Sequence, residues 1–556
     1  MKEILEQQIL PNVRKPARYI GNELNSIHKD WAKIDFKVAL SYPDLYEIGM
    51  SNIGLQILYH ILNNQPDVLA ERVYALMPDM EEELKKHNLP LFSLESFKPL
   101  ADFDLIGFGL GHELTYTNII TMLKLGNIPL MAKDREEEAP LIMAGGPCTF
   151  NPEPVADFFD FFVIGEAEEA ILEIVSALRT SHLAPRTKRL EELSKIKGVY
   201  VPSLHNKVEK RIVKDLDNAP YPTKPIIPFV EAVHDRAVVE IMRGCPWGCK
   251  FCQAGWTSRP VRQKSPENVE TLANQLIKNT GYEEVSLVSL SSSDYRGIDE
   301  LAKKLAKRYE KDRINVALPS LRTNTFSVNL AKEISRVRPS GLTIAPEAGT
   351  QRLRDVIGKK MSEEDIINGV TAAFSGGIES IKLYFMIGLP TETDEDLIAI
   401  AELAQKILEV GKQFTKRLRI TVNLATFIPK PHTPLQWEEQ IGIAEAIRRQ
   451  NIVKNSMRNK KIQVRWHKAE SSFLEGVFSR GDRALSKVII KAWELGARLD
   501  AWYEHFNFEI WQKAFAETGI DPDQYLKAKS KEADLPWDFI DTGVKKEILL
   551  REANKN

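Results

Sequence analysis

The chain has 556 residues, too many for one ordinary core, so two or three domains are expected. Hydrophobic residues make up 43% but lie dispersed among charged ones. No apolar run approaches the roughly 20 residues of a membrane span, and the opening MKEILEQQIL lacks the pattern of a signal peptide, so a cytoplasmic protein without a membrane partner is expected. With 75 basic and 77 acidic residues the formal net charge is −2, which leaves any nucleic-acid contact to a local patch.

The predicted elements run as follows. Residues 1–34 form an N-terminal extension. Over 35–217, short apolar runs (FKVALSYP, RVYALM, DLIGFGLG, PLIMAGGP, FFVIGEAE) alternate with amphipathic stretches, the pattern of an α/β, doubly wound parallel sheet whose ligands bind at the carboxyl ends of strands. A helix and a hairpin (VYVPSLHNKVEKRIVKDL) are predicted at its end. Pro220, Pro222, Pro225 and Pro228 mark a linker over 218–228. From 229 to 438, VVEIMRG, VSLVSLS, INVALPS, LTIAPEA, IKLYFMIG and RITVNLATFIP alternate with helical patterns, giving about six β/α units of a partial TIM-type barrel open on one side. Residues 439–556 read as a helical C-terminal domain.

There are four cysteines, and Cys245, Cys249 and Cys252 fall within eight residues, a spacing suited to a metal site in a reducing compartment rather than to disulfides. They follow the first barrel strand, at the end where barrel active sites lie. Three thiolates there suit a 4Fe–4S cluster with one iron left open. The alternatives are a zinc site, which lacks a fourth ligand unless His234 supplies it, and an electron-transfer cluster, which lacks a fourth cysteine because Cys148 is in the front domain.

The C-x-x-x-C-x-x-C spacing, with Phe251 before the third cysteine, resembles the radical S-adenosylmethionine (radical SAM) superfamily. The resemblance implies a cluster that binds S-adenosylmethionine and yields a 5′-deoxyadenosyl radical, with an electron donor such as flavodoxin or ferredoxin. It further implies that Ser291, Ser292, Ser293 and Asp294 contact the methionine amino group, that Glu347 stands near the ribose, that Arg322 and Arg352 pair with a carboxylate, and that Ile387 and Gly388 meet the adenine. Strand-ending turns and surface ion pairs are the plain alternatives.

In the front domain Asp44, Tyr46 and Gly49 resemble the D-x-H-x-x-G motif of cobalamin-binding domains, with tyrosine in the place of the cobalt-ligating histidine. Gly145 and Gly146 resemble its glycine pair, and Gly109 and Gly111 fill the loop between. Cobalamin without a histidine axial ligand is the implied cofactor, against a degenerate fold that binds none. Cys148 is expected to be a small buried residue. With KPARYIGNE, PKPHTPLQW and SFLEGVFSRGD, nearly the whole chain resembles cobalamin-binding radical SAM proteins of an uncharacterised bacterial subfamily.

That resemblance implies methylation at an unreactive centre or a related radical modification, the missing histidine leaving other radical rearrangements open; methylthiolation would need three more cysteines in the front domain, where only Cys148 stands. The alternative from another class is an RNA- or ribonucleoprotein-binding protein with a structural or sensing cluster. It rests on Arg448, Arg449, Lys454, Arg458, Lys460, Lys461, Arg465 and Lys468, a run without an intervening acid that is otherwise a solvated face. His432, His467 and Trp437 are candidates to line a substrate channel, with packing as the alternative for the tryptophan.

Overall fold

A computed structural model describes residues 1–181, 183–322 and 341–555. The front sheet consists of β1 (Phe36–Tyr42), β2 (Val68–Tyr74), β3 (Leu105–Gly109), β4 (Leu141–Gly145), β5 (Phe161–Val163) and β6 (Val199–Tyr200), in the order β2-β1-β3-β4-β5-β6. The first five are parallel and β6 is antiparallel to β5. Strands buried on both faces explain the near-continuous apolar runs. Val38 and Leu40 of β1 feed one core and Ala39 the other.

The predicted hairpin does not form. Val199–Tyr200 joins the front sheet, while β7 (Val208–Glu209) pairs with Ile540–Asp541 near the far end of the chain. The proline-rich stretch has no regular structure but is held down: Ile227 N donates to Leu24 O at 3.0 Å, and Tyr221 and Ile226 are buried in the core that continues into the barrel.

The barrel strands are β8 (Ala237–Glu240), β9 (Glu284–Val288), β10 (Asn315–Ala317), β11 (Leu342–Glu347), β12 (Ser380–Ile387), β13 (Arg419–Thr426) and β14 (Ile462–Trp466). All recorded pairs among them are parallel, in the orders β10-β9-β8 and β11-β12-β13-β14. The wall is thus a partial parallel barrel, and it runs one strand further than expected, because β14 is short and its apolar residues sit within the basic run.

The C-terminal helical region covers the front sheet. Ala469–Arg480, Leu485–Glu494 and Phe508–Thr518 share a core with helix Tyr116–Leu125, where the Phe478 ring lies 5.7 Å from Tyr116 and Trp511 is buried. Trp493 donates to Thr121 at 2.9 Å and Thr117 to Asp500 at 2.7 Å. The N-terminal extension packs Leu5, Ile9 and Leu10 into the same core. Among the described residues no helix is long and apolar enough to cross a membrane.

Candidate functional site

The cysteine loop begins where Met242–Arg243, just past β8, pair with Arg262–Gln263, so that residues 244–261 close on themselves. Gly244 has φ +88°, and a Cβ there would meet the Ser258 and Pro260 carbonyls at 2.8 and 2.9 Å, which only glycine avoids. Inside the loop Gly255 N–H donates to Cys252 Sγ at 3.4 Å, and the Trp256 indole donates to the Cys249 carbonyl at 3.0 Å. Arg259 lies 4.0 Å over the Trp256 ring and donates to the Trp247 carbonyl at 3.1 Å. These bonds fix the backbone that carries the thiols.

The three thiols interact electrostatically, Cys245 with Cys249 and Cys252 with both. Burial pushes the Cys252 thiol up to about 11, with Cys249, Cys245 and Glu347 adding to the rise, and burial and Cys249 raise Cys245 as well. Thiolates left uncompensated in this way suit ligands that bring positive charge. A single zinc ion at about 2.3 Å from each sulfur would need them roughly 4 Å apart. Among the described residues, the only three such side chains with ligand atoms within 4.8 Å of one another are His112, Glu113 and Glu475. His234 precedes β8, at the opposite end from the loop, and its Nδ1 is 3.0 Å from Arg236, so it does not complete a zinc set.

The ends of β9 and β10 converge on Cys245. Asp294 Oδ2 accepts from the Trp247 indole at 2.6 Å and from Ser291 Oγ at 2.5 Å. Arg322 stacks 3.9 Å over Trp247, its backbone N–H donates to Ser293 Oγ at 3.0 Å, and both it and Asp294 act electrostatically on Cys245. The residues following Arg322 in SLRTNTF lie outside the described residues. Ser292 turns inward, donating to the Leu287 carbonyl at 3.1 Å. Glu347 ends β11 with φ +71°, a backbone strain rare outside glycine, and pairs with Lys359 at 3.2 Å beside Cys252. Gly388 has φ +82° and donates to Glu392 at 2.7 Å, while Ile387 is buried. Arg352 is held outward against Asp396 and Thr391, with half its side chain exposed.

Between the carboxyl ends of the front strands and the cysteine loop lies a cavity of about 470 Å³. Gly109, Gly111, Gly145 and Gly146 line one wall, and Arg243, Gln253 and Thr257 the other. A Cβ on Gly145 would meet nothing nearer than 3.9 Å, so its face is open, whereas Gly111 admits the Tyr42 hydroxyl, which a Cβ would crowd at 2.6 Å. Arg243 bridges the domains, reaching Glu166 at 3.1 Å, Glu168 at 2.7 Å and Glu240 at 2.8 Å. Sequence reasoning missed this hub and Trp247, although Trp247 stands inside the cysteine motif and GEAE is visible in the front strand end.

The D-x-H-like loop faces elsewhere. Tyr46 is buried, donates to Glu23 at 2.9 Å and accepts from Phe229 N at 3.3 Å, and burial together with Glu23 raises its pKa well above the phenol range. Glu23 is paired in turn with buried Arg72 at 2.7 Å. Asp44 accepts from the Trp502 indole at 2.7 Å, and Gly49 lies against the Tyr74 ring. None of the three lines the cavity.

Cys148 is buried, and burial with Glu113 raises its thiol pKa. His432 is buried, its Nε2 2.9 Å from the Phe150 carbonyl, and burial lowers its pKa to about 4. Trp437 is buried among Trp256, Trp537 and Leu535, and His467 is exposed, so these do not form one channel. Next to Cys148, Lys430 joins Glu113 at 2.7 Å, Glu475 at 2.8 Å and Ser479 at 2.7 Å, tying barrel, front sheet and C-terminal helices together.

Residues 54–202 match the family described as radical SAM proteins, N-terminal, and residues 239–404 match the radical SAM superfamily. An uncharacterised protein of Methanocaldococcus jannaschii is 30% identical over 459 residues, covering 81% of this chain and 90% of that protein. An uncharacterised methyltransferase of Pyrococcus horikoshii is 25% identical, covering 60% of this chain and 74% of its own. The solved structure of the cobalamin-dependent S-adenosylmethionine radical enzyme OxsB with aqua-cobalamin bound is similar over 99% of this chain and 84% of that one, with a TM-score of 0.53 and 12% identity, a likeness of fold. The cysteine loop at the end of the first barrel strand and the matches on both sides of the linker agree: the chain belongs to the radical SAM superfamily and has the architecture of its enzymes.

Proposed function

We propose that Cys245, Cys249 and Cys252 hold a 4Fe–4S cluster, that S-adenosylmethionine binds beside it, and that the cavity holds cobalamin, making the chain a radical SAM methyltransferase of a subfamily shared with the archaeal relatives. The observation that carries this reading is the cavity itself, with the cysteine loop as one wall and the glycine-bearing strand ends as the other. The open face of Gly145 and the electrostatic interaction among the three thiols fit groups of these kinds. When bound, these groups supply hydrogen abstraction by a 5′-deoxyadenosyl radical and a transferable methyl group.

The chain's own residues position and shield. Asp294, kept in place by Trp247 and Ser291, accepts from an ammonium, and Arg322, stacked on Trp247, offers its guanidinium to a carboxylate. Glu347 is aimed by its strained backbone to accept from hydroxyl groups, and Ile387 and Gly388 offer the strand end to the adenine, with Ile441 filling the space beside the Gly388 Cα. Phe251 packs with Leu389 and Phe427 and keeps water from the loop. The electron comes from a donor such as flavodoxin or ferredoxin in a reducing, cytoplasmic setting, where the four free cysteines persist.

The test is anaerobic purification, reconstitution with iron and sulfide, and addition of S-adenosylmethionine and dithionite. 5′-Deoxyadenosine that forms in the wild type and is lost in Cys249→Ala, together with a corrinoid spectrum, is the expected result. Zinc in place of iron would overturn the reading.

A further inference from the structure

The basic run from Arg448 to Lys468 is divided by the fold into two parts. Arg448 and Arg449 are neutralised on helix Ile443–Ser456: Arg448 pairs with Glu445 at 2.7 Å and Asp394 at 3.0 Å, and Arg449 with Glu392 at 2.6 Å and Glu445 at 2.7 Å. Lys454, Arg458, Lys460, Lys461 and Arg465 are exposed and have no carboxylate within ion-pair distance among the described residues. They follow the end of that helix, the turn after it and β14, the outermost strand of its sheet.

Two exposed aromatic rings accompany these cations. Trp466, at the carboxyl end of β14, is 42% exposed, with the Lys454 ammonium 5.4 Å from its ring. Tyr503 is 75% exposed, and Lys468 lies 3.6 Å from its ring. Its neighbour Trp502 donates to Asp44, two residues from the Tyr42 that lines the cavity. The strip therefore starts at the amino end of β14, follows it for about 16 Å and ends at Lys468 and Tyr503.

Cations on an outer strand also guard against edge-to-edge pairing. Guarding does not account for exposed tryptophan and tyrosine rings, which add adhesiveness to such an edge. A lipid surface would call for apolar side chains projecting beyond the cations, yet Ile462 and Val453 are buried. Unpaired cations in a line, interleaved with flat rings that have a free face, match the phosphates and bases of a single strand.

We propose that this edge is the docking track of a single-stranded polynucleotide, a binding role that does not depend on the function proposed above. The full-length protein is titrated by fluorescence anisotropy against labelled single-stranded RNA and DNA of about 12 nucleotides, and against phosphatidylserine vesicles, at about 50 and 200 mM salt. The wild type should bind the strands, more weakly at the higher salt. The triple variant Arg458→Glu, Lys460→Glu, Lys461→Glu should lose about tenfold or more in affinity and flatten the salt dependence. Trp466→Ala should lose about tenfold with the salt dependence kept.

Lys214→Glu, at an exposed site on the front domain, should bind as the wild type does, and all variants should keep the wild-type melting temperature. A tighter response to RNA or to DNA identifies which polymer the edge takes. Absence of strand binding at low salt, binding indifferent to the triple change, or a preference for vesicles overturns the proposal. Assayed on the same preparations, 5′-deoxyadenosine without strand binding would sink this inference and leave the enzymatic reading standing; strand binding without it would do the reverse.

Discussion

The first strand of each sheet ends in a loop that carries a recognisable motif, and the two loops treat their motif residues in opposite ways. After β1, Asp44 is tied to Trp502, Tyr46 to Glu23 and Phe229, and Gly49 is packed on Tyr74. After β8, Trp256 and Arg259 spend their hydrogen bonds on the loop's own backbone, while the Cys252 thiol is met by the Gly255 backbone N–H. The same place in a parallel sheet can thus be a structural anchor or a ligand cradle. What decides is whether the polar side chains already have partners within the protein.

The sharpest break would come from the barrel loop. Cys252→Ala should reduce bound iron to background after reconstitution and abolish 5′-deoxyadenosine, a fall of about 100-fold or more by chromatography, with the fold intact by circular dichroism. Filling the opposite wall should separate the two compartments: Gly145→Leu places a side chain in the open face of the cavity, and we expect loss of corrinoid retention on gel filtration with 5′-deoxyadenosine formation within about twofold of wild type.

The front loop should respond as structure. Tyr46→Phe removes a hydrogen bond to the buried Glu23 carboxylate and the acceptor of the Phe229 N–H, so denaturant unfolding should show a loss of about 2 kcal/mol. The absorption spectrum of bound corrinoid should be unchanged; a shifted cobalt band would mean that Tyr46 reaches the metal and the contrast between the loops is false. The smallest effect belongs to Asp44. Burial raises its folded pKa, so its contribution is fully present below the unfolded carboxylate value near 3.9 and is lost as pH rises through the folded one. Asp44→Asn keeps an acceptor for Trp502, so it should change stability at neutral pH by less than about 1 kcal/mol and flatten the decline between acid and neutral pH.

How much was legible in the residues follows the same logic of partners. The cysteine loop and the glycine-bearing strand ends could be placed because their surroundings are local: a strand, a turn and the next helix. The hairpin failed because the partner of Val208–Glu209 is Ile540–Asp541, more than 300 residues away, and no local pattern announces such a pairing. β14 was hidden because Lys460, Lys461 and Arg465 mask a short alternation of Ile462 and Val464. Tyr46 could be doubted as a ligand from its chemistry, but its burial against Glu23 needed Arg72 and the N-terminal segment in place. Arg352 drew attention by its motif position, while Asp396, from the next helix, decides where it points.

Lys430 and Arg243 hold the front sheet to the barrel on two sides, each through several carboxylates. Separating buried ion pairs is costly, and parting the domains would take both clusters apart at once. The chamber between them therefore lacks the freedom of a hinged lid, and an occupant should enter and leave through its open side with the two domains held at a fixed spacing.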